Sequence, residues 1–338
     1  MRTWICALAI AIAAPATAAP APPKPLFASD QPIRITIQGP MSSLVGRRSE
    51  TQRPGTLTIA GANQSYAINL SPRGITRRAS DICQFPPLRV EFVQPPPAGS
   101  LFEGQRRLKL VTHCRNAAGF QQKILLEYAA YRLYNLMTPQ SFRARLANID
   151  YVDERGRPYV SRVGFFLEDI DDVAARNGMV KARTADMIPA SLLDPQGAAR
   201  MAVFNYMIAN LDWSMRAGPE GEGCCHNGRL LALPRAPGGP YVPVPYDFDF
   251  SGLVDAPYAT PPEAIHVTSV RQRNYRGYCA HDALARAVAA NLVQRQAELL
   301  GVFSAVPGLD ARTQARSVNY LGEFFSDAAS GRMFRACV

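Results

Sequence analysis

Two short acidic stretches, Asn210-Leu211-Asp212 and Tyr246-Asp247-Phe248-Asp249, flank a His226-Asn227 pair. Phosphoryl transfer needs an acidic group to orient or deprotonate an acceptor hydroxyl. It also needs hard oxygen ligands to hold a divalent cation against phosphates. Asp212, Asn227, Asp247 and Asp249 supply those atom types, although an Asp ending a helix is commonly just a cap and an Asp-x-Asp at a strand edge commonly a turn. Asp212 with Asp247 or Asp249 would equally suit a paired-carboxylate glycosidase. Histidine-based metal hydrolysis lacks support, because His113, His226, His266 and His281 show no His-x-x-x-His spacing. Serine-triad catalysis lacks a Gly-x-Ser-x-Gly elbow.

The elements that must position these groups are legible from periodicity. Residues Phe120 to Met137 place Ile124, Leu125, Leu126, Tyr128, Leu133 and Leu136 around nearly every direction of a helix. Such a helix is buried. Glu127 lies within it, and a buried carboxylate is costly unless a cation or donor meets it. Asp194-Pro195 predicts a second helix in the order of N-cap acceptor and first-turn proline, running to Asn210 and delivering Asp212 at its end. Arg229 to Leu233 and Tyr241 to Pro245, around Pro237-Gly238-Gly239-Pro240, predict a hairpin that delivers Asp247 and Asp249. Upstream, short strands are expected at Ile33 to Ile37, Leu57 to Ile59, Tyr66 to Leu70, Leu88 to Phe92 and Leu108 to Thr112. A hairpin is expected from Arg143 to Tyr151 and Tyr159 to Glu168 across a charged Gly/Pro turn. A helix or lid is expected within Asp169 to Met187, and two terminal helices near Asp282 to Phe303 and Asp310 to Phe325. The chain is therefore expected to be α+β, with a strand-rich N-terminal lobe over 33–168 and a mainly helical C-terminal lobe over 169–338.

Residues 1–18 carry one arginine, a short apolar run and Ala16-Thr17-Ala18, the pattern of a signal peptide cleaved after Ala18. Residues 19–32 are expected to form a flexible Ala/Pro-rich leader. A periplasmic or secreted protein follows, with no transmembrane segment after cleavage. Of seven cysteines, Cys6 falls in the signal segment. The even remainder, Cys83, Cys114, Cys224, Cys225, Cys279 and Cys337, suits disulfides better than zinc. Cys83 with Cys114 is a natural pair, since both fall in the strand-rich region. The hydrophobic fraction of 47% supports a real core, and the net charge of +10 favours anionic partners. The arginines are scattered rather than clustered, so nucleic acid is not an expected partner. Oligomeric state is not readable.

In the order of these segments the chain resembles the spore-coat-protein-H (CotH) kinase-like family over about residues 70–260. The similar segments are Arg73-Gly74-Ile75-Thr76-Arg77-Arg78, Leu101-Phe102 with Leu108 to Val111, the Glu127 helix, Gly164 to Glu168, Asn210-x-Asp212, His226-Asn227 and Asp247-x-Asp249. The resemblance implies an atypical, two-lobed protein-kinase-like fold and a metal- and nucleotide-dependent phosphotransferase, using ATP or another nucleotide with Mg or Mn. Its acceptor would be an extracytoplasmic protein or glycan. By the same resemblance Asp212 is the catalytic acid-base residue, Asn227 an amide ligand, and Asp247 or Asp249 the metal carboxylate. The family's phosphate-contacting lysine has no direct counterpart; Arg89 and Lys109 are the candidates, and Lys109 could pair with Glu127. Glu168, on the strand into the hinge, joins them in the expected nucleotide site. No glycine-rich phosphate loop is present. The segment between Asp212 and Asn227 is longer than in typical kinases, and Cys224-Cys225 could staple it. The alternative is a noncatalytic, envelope-associated binding module, a pseudokinase.

Overall fold

Alternation of apolar and polar residues shapes the first half of the chain into strands, which close on themselves. The computed structural model describes residues 20–62 and 64–337, with side chains through Phe334; the expected signal peptide lies outside the described residues. In order come β1 (Ile33–Gln38), α1 (Met41–Arg47), β2 (Arg53–Ile59), β3 (Ser65–Pro72), β4 (Leu88–Phe92), β5 (Arg107–Val111), α2 (Ala118–Met137), β6 (Ala144–Val152) and β7 (Pro158–Leu167). In β1, Ile33, Ile35 and Ile37 face inward while Arg34 is exposed, the period-2 pattern of a half-buried strand. The seven strands form a closed barrel in the order β1-β2-β3-β4-β5-β7-β6.

The expected two-lobed kinase-like architecture is corrected by this closure. The hairpin of β6 and β7 pairs on one side with β5 and on the other with β1, which runs parallel to β6 from Ile33 opposite Ala147 to Gln38 opposite Val152. No edge strand is left in the barrel. Phe102, Leu88, Leu110, Ile149 and Phe166 fill its interior. Gly55 marks a tight corner, because a Cβ there would lie 2.6 Å from the Gln38 carbonyl oxygen. The α+β composition holds.

After the barrel follow α3 (Ile170–Arg176), β8 (Val180–Lys181), α4 (Pro195–Met207), β9 (Gly228–Ala232), β10 (Val242–Pro245), α5 (Asp282–Gln294), α6 (Gln296–Ala305) and α7 (Ala311–Ala329). Strands β8, β9 and β10 make a second small sheet. The Asp169 to Met187 stretch thus holds a short helix and a sheet strand. The Asp194 carboxylate caps α4 by accepting the Gly197 N–H at 2.6 Å, as its sequence predicts. The first terminal helix is broken at Arg295, whose guanidinium turns to the Leu136 carbonyl and to Glu298. A second core joins α2, α4, α5, α6 and α7 with the outer face of the barrel.

The described part of the leader is docked rather than free. Leu26 and Phe27 are buried, Lys24 pairs with Asp172 at 2.6 Å, and Arg143 and Arg145 donate to the carbonyls of Phe27, Leu26 and Ser29. Proline lowers the unfolded-state entropy of this segment, and two apolar anchors then suffice to seat it.

Cys83 and Cys114 are joined in a disulfide spanning 31 positions. Cys224 and Cys225 are also bridged, and Cys279 is disulfide-bonded. Closing a loop of this length constrains the unfolded chain. Replacing Cys83 and Cys114 together with serine is expected to lower unfolding free energy by about 3 kcal/mol, measured by urea denaturation. An unshifted midpoint would remove the bridge from the stabilising interactions. No helix among the described residues is long and apolar enough to cross a membrane, and the disulfide suggests a non-cytoplasmic location.

Candidate functional site

Glu127 sits in the middle of α2 and is 1% exposed, so its charge must be met inside the protein. Arg77 meets it, from a single 3-10 turn (Thr76–Arg78) after β3. The guanidinium reaches Glu127 Oε2 at 2.9 Å and Oε1 at 3.3 Å, Asp247 Oδ1 at 3.0 Å and Asp249 Oδ2 at 3.2 Å. One turn along α2 from Glu127, the Tyr131 hydroxyl accepts the Asp247 N–H at 2.9 Å. Residues four apart share a helix face, so a single face of α2 anchors the loop after β10. Asp247 takes a left-handed backbone conformation, φ 65°, one that Asp tolerates better than most residues. Tyr258 closes the group by donating to Asp249 Oδ2 at 3.0 Å.

The carboxylate oxygens of Glu127, Asp247 and Asp249 lie within 4.8 Å of one another, and this cluster could hold a metal ion. Its electrostatics favour one. Burial works against the charge of Arg77, yet Asp249 and Glu127 hold its pKa well above the usual range. Burial pushes Asp249 up to about 8; Arg77 opposes the shift, and Asp247 and Glu127 add to it. Burial likewise raises Glu127. Three carboxyl groups share one guanidinium, so full ionisation leaves them short of positive charge. All-oxygen donors suit Mg or Mn, and the half-exposed Asp247 faces the approach.

A second group stands next to the first. Asp212 follows α4 and receives His226 Nε2 at 2.6 Å on Oδ1, while Asn227 Nδ2 donates to its backbone oxygen at 2.7 Å and to Oδ2 at 2.9 Å. The Asn210 side chain accepts the Asp212 N–H and is itself tied to Asn205. The hydrogen bond that His226 donates to Asp212 raises the His226 pKa, against partial burial. The Tyr246 N–H then donates to the Asn227 carbonyl at 3.1 Å, which stitches this group to the residue beside Asp247.

Cations gather around Tyr246. Lys109 Nζ lies 5.0 Å from its ring centroid and Arg229 4.8 Å. Burial lowers Lys109 to about 7, helped by repulsion from Arg73 and Arg229. Burial also lowers Arg73, with Asp247 opposing. Among the described residues no ion pair reaches any of these three cations, a state suited to an incoming anion.

The structure thus brings Glu127, Asp247 and Asp249 into one cluster, with Asp212 and Asn227 in the adjoining group and Lys109 at the Tyr246 ring. Asn227 donates two amide hydrogen bonds to Asp212 through Nδ2. Lys109 does not pair with Glu127; Arg77 takes that place. Arg89 stands directly opposite Lys109 in the β4–β5 pairing, hence on the same face. Glu168 lies elsewhere, buried against Arg176 at 2.9 Å and the Arg143 N–H at 2.9 Å, where it ties α3 to the barrel. Sequence reasoning did not assign Arg77, Arg73, Arg229, Tyr131 or Tyr258. For Arg77 the signal was the buried Glu127 itself, which demanded a cation from some other segment.

No protein-family model and no curated protein matches this chain.

Proposed function

We propose that the protein is an extracytoplasmic metal-dependent transferase that moves a phosphoryl or nucleotidyl group from a nucleotide, ATP being the first candidate, to a protein or glycan hydroxyl. One observation carries the reading: Asp247 is the common electrostatic neighbour of Glu127, Asp249, Arg73, Arg77, Lys109 and His226. Carboxylates for a cation, basic groups outside any ion pair for phosphates and an oriented acidic group for an acceptor therefore share one neighbourhood.

Glu127, Asp247 and Asp249 would hold Mg or Mn, which when bound neutralises charge on the phosphate oxygens. Lys109, Arg73 and Arg229 would bind and orient the phosphates. Asp212, fixed by His226 and Asn227, would take the proton of the acceptor hydroxyl. As that oxygen forms its bond to phosphorus, the bond from phosphorus to the nucleotide leaving group breaks and the leaving phosphate keeps the electron pair. A second reading, a noncatalytic envelope-associated binding module, is favoured by a separate observation: Arg77 alone already contacts all three carboxylates.

The two readings separate by ligand linkage. Saturating ATP with Mn²⁺ stabilises a native state that binds it, by about 2.7 kcal/mol at one hundred times Kd. A raised melting temperature in the native sequence and little change in Asp247→Asn is expected. An unmoved melting curve in both rules out the transferase. Release or incorporation of labelled phosphate then distinguishes turnover from binding.

Phosphate affinity should also depend on pH. Lys109 titrates near 7 in the free protein, and a bound phosphate raises that value, so binding takes up a proton above pH 7. Affinity is expected to be greatest below pH 7 and to fall as pH rises beyond it. Calorimetry at pH 6.5 and 9 checks this, with Lys109→Met flattening the profile. An equal slope in that variant would remove Lys109 from the phosphate contacts.

A further inference from the structure

Sharing no residue with the carboxylate cluster, a cavity of about 300 Å³ opens between α2, the 252–255 segment, Arg271 and the start of α7. Four cations line it: Lys123 from α2, Arg271, and Arg312 and Arg316 from α7. Two carboxylates oppose them. Asp310 caps α7, accepting the Thr313 N–H at 2.7 Å, and its charge acts on the neighbouring Arg312. That leaves Asp255, and a single oxygen of it, Oδ2, faces Lys123 at 4.0 Å, Arg271 at 3.5 Å and Arg316 at 3.9 Å. None of the three is close enough for a strong charge-assisted hydrogen bond, and one carboxylate cannot neutralise three cations.

One wall of the cavity is fixed by packing and hydrogen bonds. Arg271 lies over the Tyr320 ring at 4.4 Å, and the Tyr320 hydroxyl donates to the Arg271 carbonyl at 2.8 Å. Gly252 passes so close that a Cβ would stand 2.4 Å from that hydroxyl. Gln122 binds both the Gly308 carbonyl and the Asp310 N–H, which pins the start of α7 to α2 beside Lys123. Burial lowers Lys123, Asp255 opposes the shift, and Arg316 and Arg271 add to it. Lys123 is partly buried and Arg271 is held over Tyr320, while Arg312 and Arg316 reach the cavity from the exposed side of α7. Positive charge therefore exceeds negative charge at the cavity mouth.

We propose that this cavity binds a small phosphate-bearing ligand, inorganic phosphate or a phosphate monoester, as a site separate from the carboxylate cluster and independent of the transferase reading. A tetrahedral dianion supplies the missing charge and offers several oxygens to Lys123, Arg271, Arg312 and Arg316. The volume is at the small end of ligand pockets and suits a compact anion.

Calorimetry with inorganic phosphate at constant ionic strength tests this. Saturable binding is expected in the native sequence, weakened roughly tenfold or more in Lys123→Gln/Arg316→Gln, since one lost charge-assisted contact is commonly a tenfold effect. Asp255→Asn should shift affinity the other way, because it removes the competing carboxylate while Asn tolerates the left-handed backbone at this position, φ 53°. If the double variant fails to fold, this opposite sign still decides the matter. The proposal is overturned by absence of saturable binding, or by equal displacement with chloride. It is also overturned if Lys109→Met abolishes binding while the cavity variants do not, or if Asp255→Asn binds no more tightly. Retention on vesicles containing phosphatidylglycerol, with no response to free phosphate, would assign the cations to a membrane surface and likewise overturn it.

Discussion

Arg77→Met is expected to destabilise the protein by about 3–5 kcal/mol, the range for breaking a buried ion pair from one side. Three carboxyl groups, two of them almost inaccessible, would lose their shared cation, and their only response is to protonate or to recruit another positive charge. Urea unfolding at pH 8 measures the loss. Lowering the pH should recover part of it, since protonation removes the repulsion. Mn²⁺ should recover more, by taking the place that the guanidinium leaves, so the variant's melting temperature is expected to rise with Mn²⁺ by more than that of the native protein. If Arg77→Met unfolds at the native urea concentration, the cluster does not depend on the guanidinium as its geometry requires.

Asp212→Asn is expected to reduce phosphate transfer by about 10²–10⁴-fold, the usual contribution of a positioned acid-base group. Stability should change little, because the amide occupies the same volume and Asp212 is partly exposed. An independent readout comes from His226. Its pKa is raised first by the hydrogen bond it donates to Asp212, so NMR titration of Asp212→Asn should show the imidazole losing its proton at lower pH. Full transfer activity in this variant would assign the proton to another group. An unmoved His226 titration would separate the pair altogether.

Much of the local structure was legible because it depends on local pattern. The Ile33, Ile35, Ile37 alternation and the all-round apolar face of α2 predict their elements directly, as does the Asp194-Pro195 start of α4. The barrel was not legible. Its closure depends on β1 lying parallel to β6, more than a hundred residues away, and a strand's own sequence does not name its partner. The expected kinase-like lobes fail at that point, since a hairpin read as leading to a hinge instead seals a sheet. The docked leader was missed for a related reason: its prolines read as a linker, while Leu26 and Phe27 only acquire a destination once the barrel exists.

The candidate site was legible as residue types and incompletely as partnerships. Glu127, Asp247 and Asp249 come from segments that sequence order already joined, and the cost of burying Glu127 required a cation without naming it. Arg77 sits in a Thr-Arg-Arg turn that resembles any solvated basic segment. Only tertiary packing turns it inward. Asn227 shows that a partnership depends on tertiary packing: its Nδ2 fixes Asp212, fifteen positions away.

Titration of Mn²⁺ into the native protein and into Asp247→Asn, followed by calorimetry, tests most directly whether the three carboxylates form a cation site. One saturable site per chain is predicted, weakened at least tenfold in Asp247→Asn, since that substitution removes the charged ligand at the mouth of the cluster and leaves Glu127 and Asp249 in place. Absence of Mn²⁺ binding, or binding that Asp247→Asn leaves unchanged, would mean that Arg77 alone satisfies these carboxylates and that no metal-dependent chemistry occurs there.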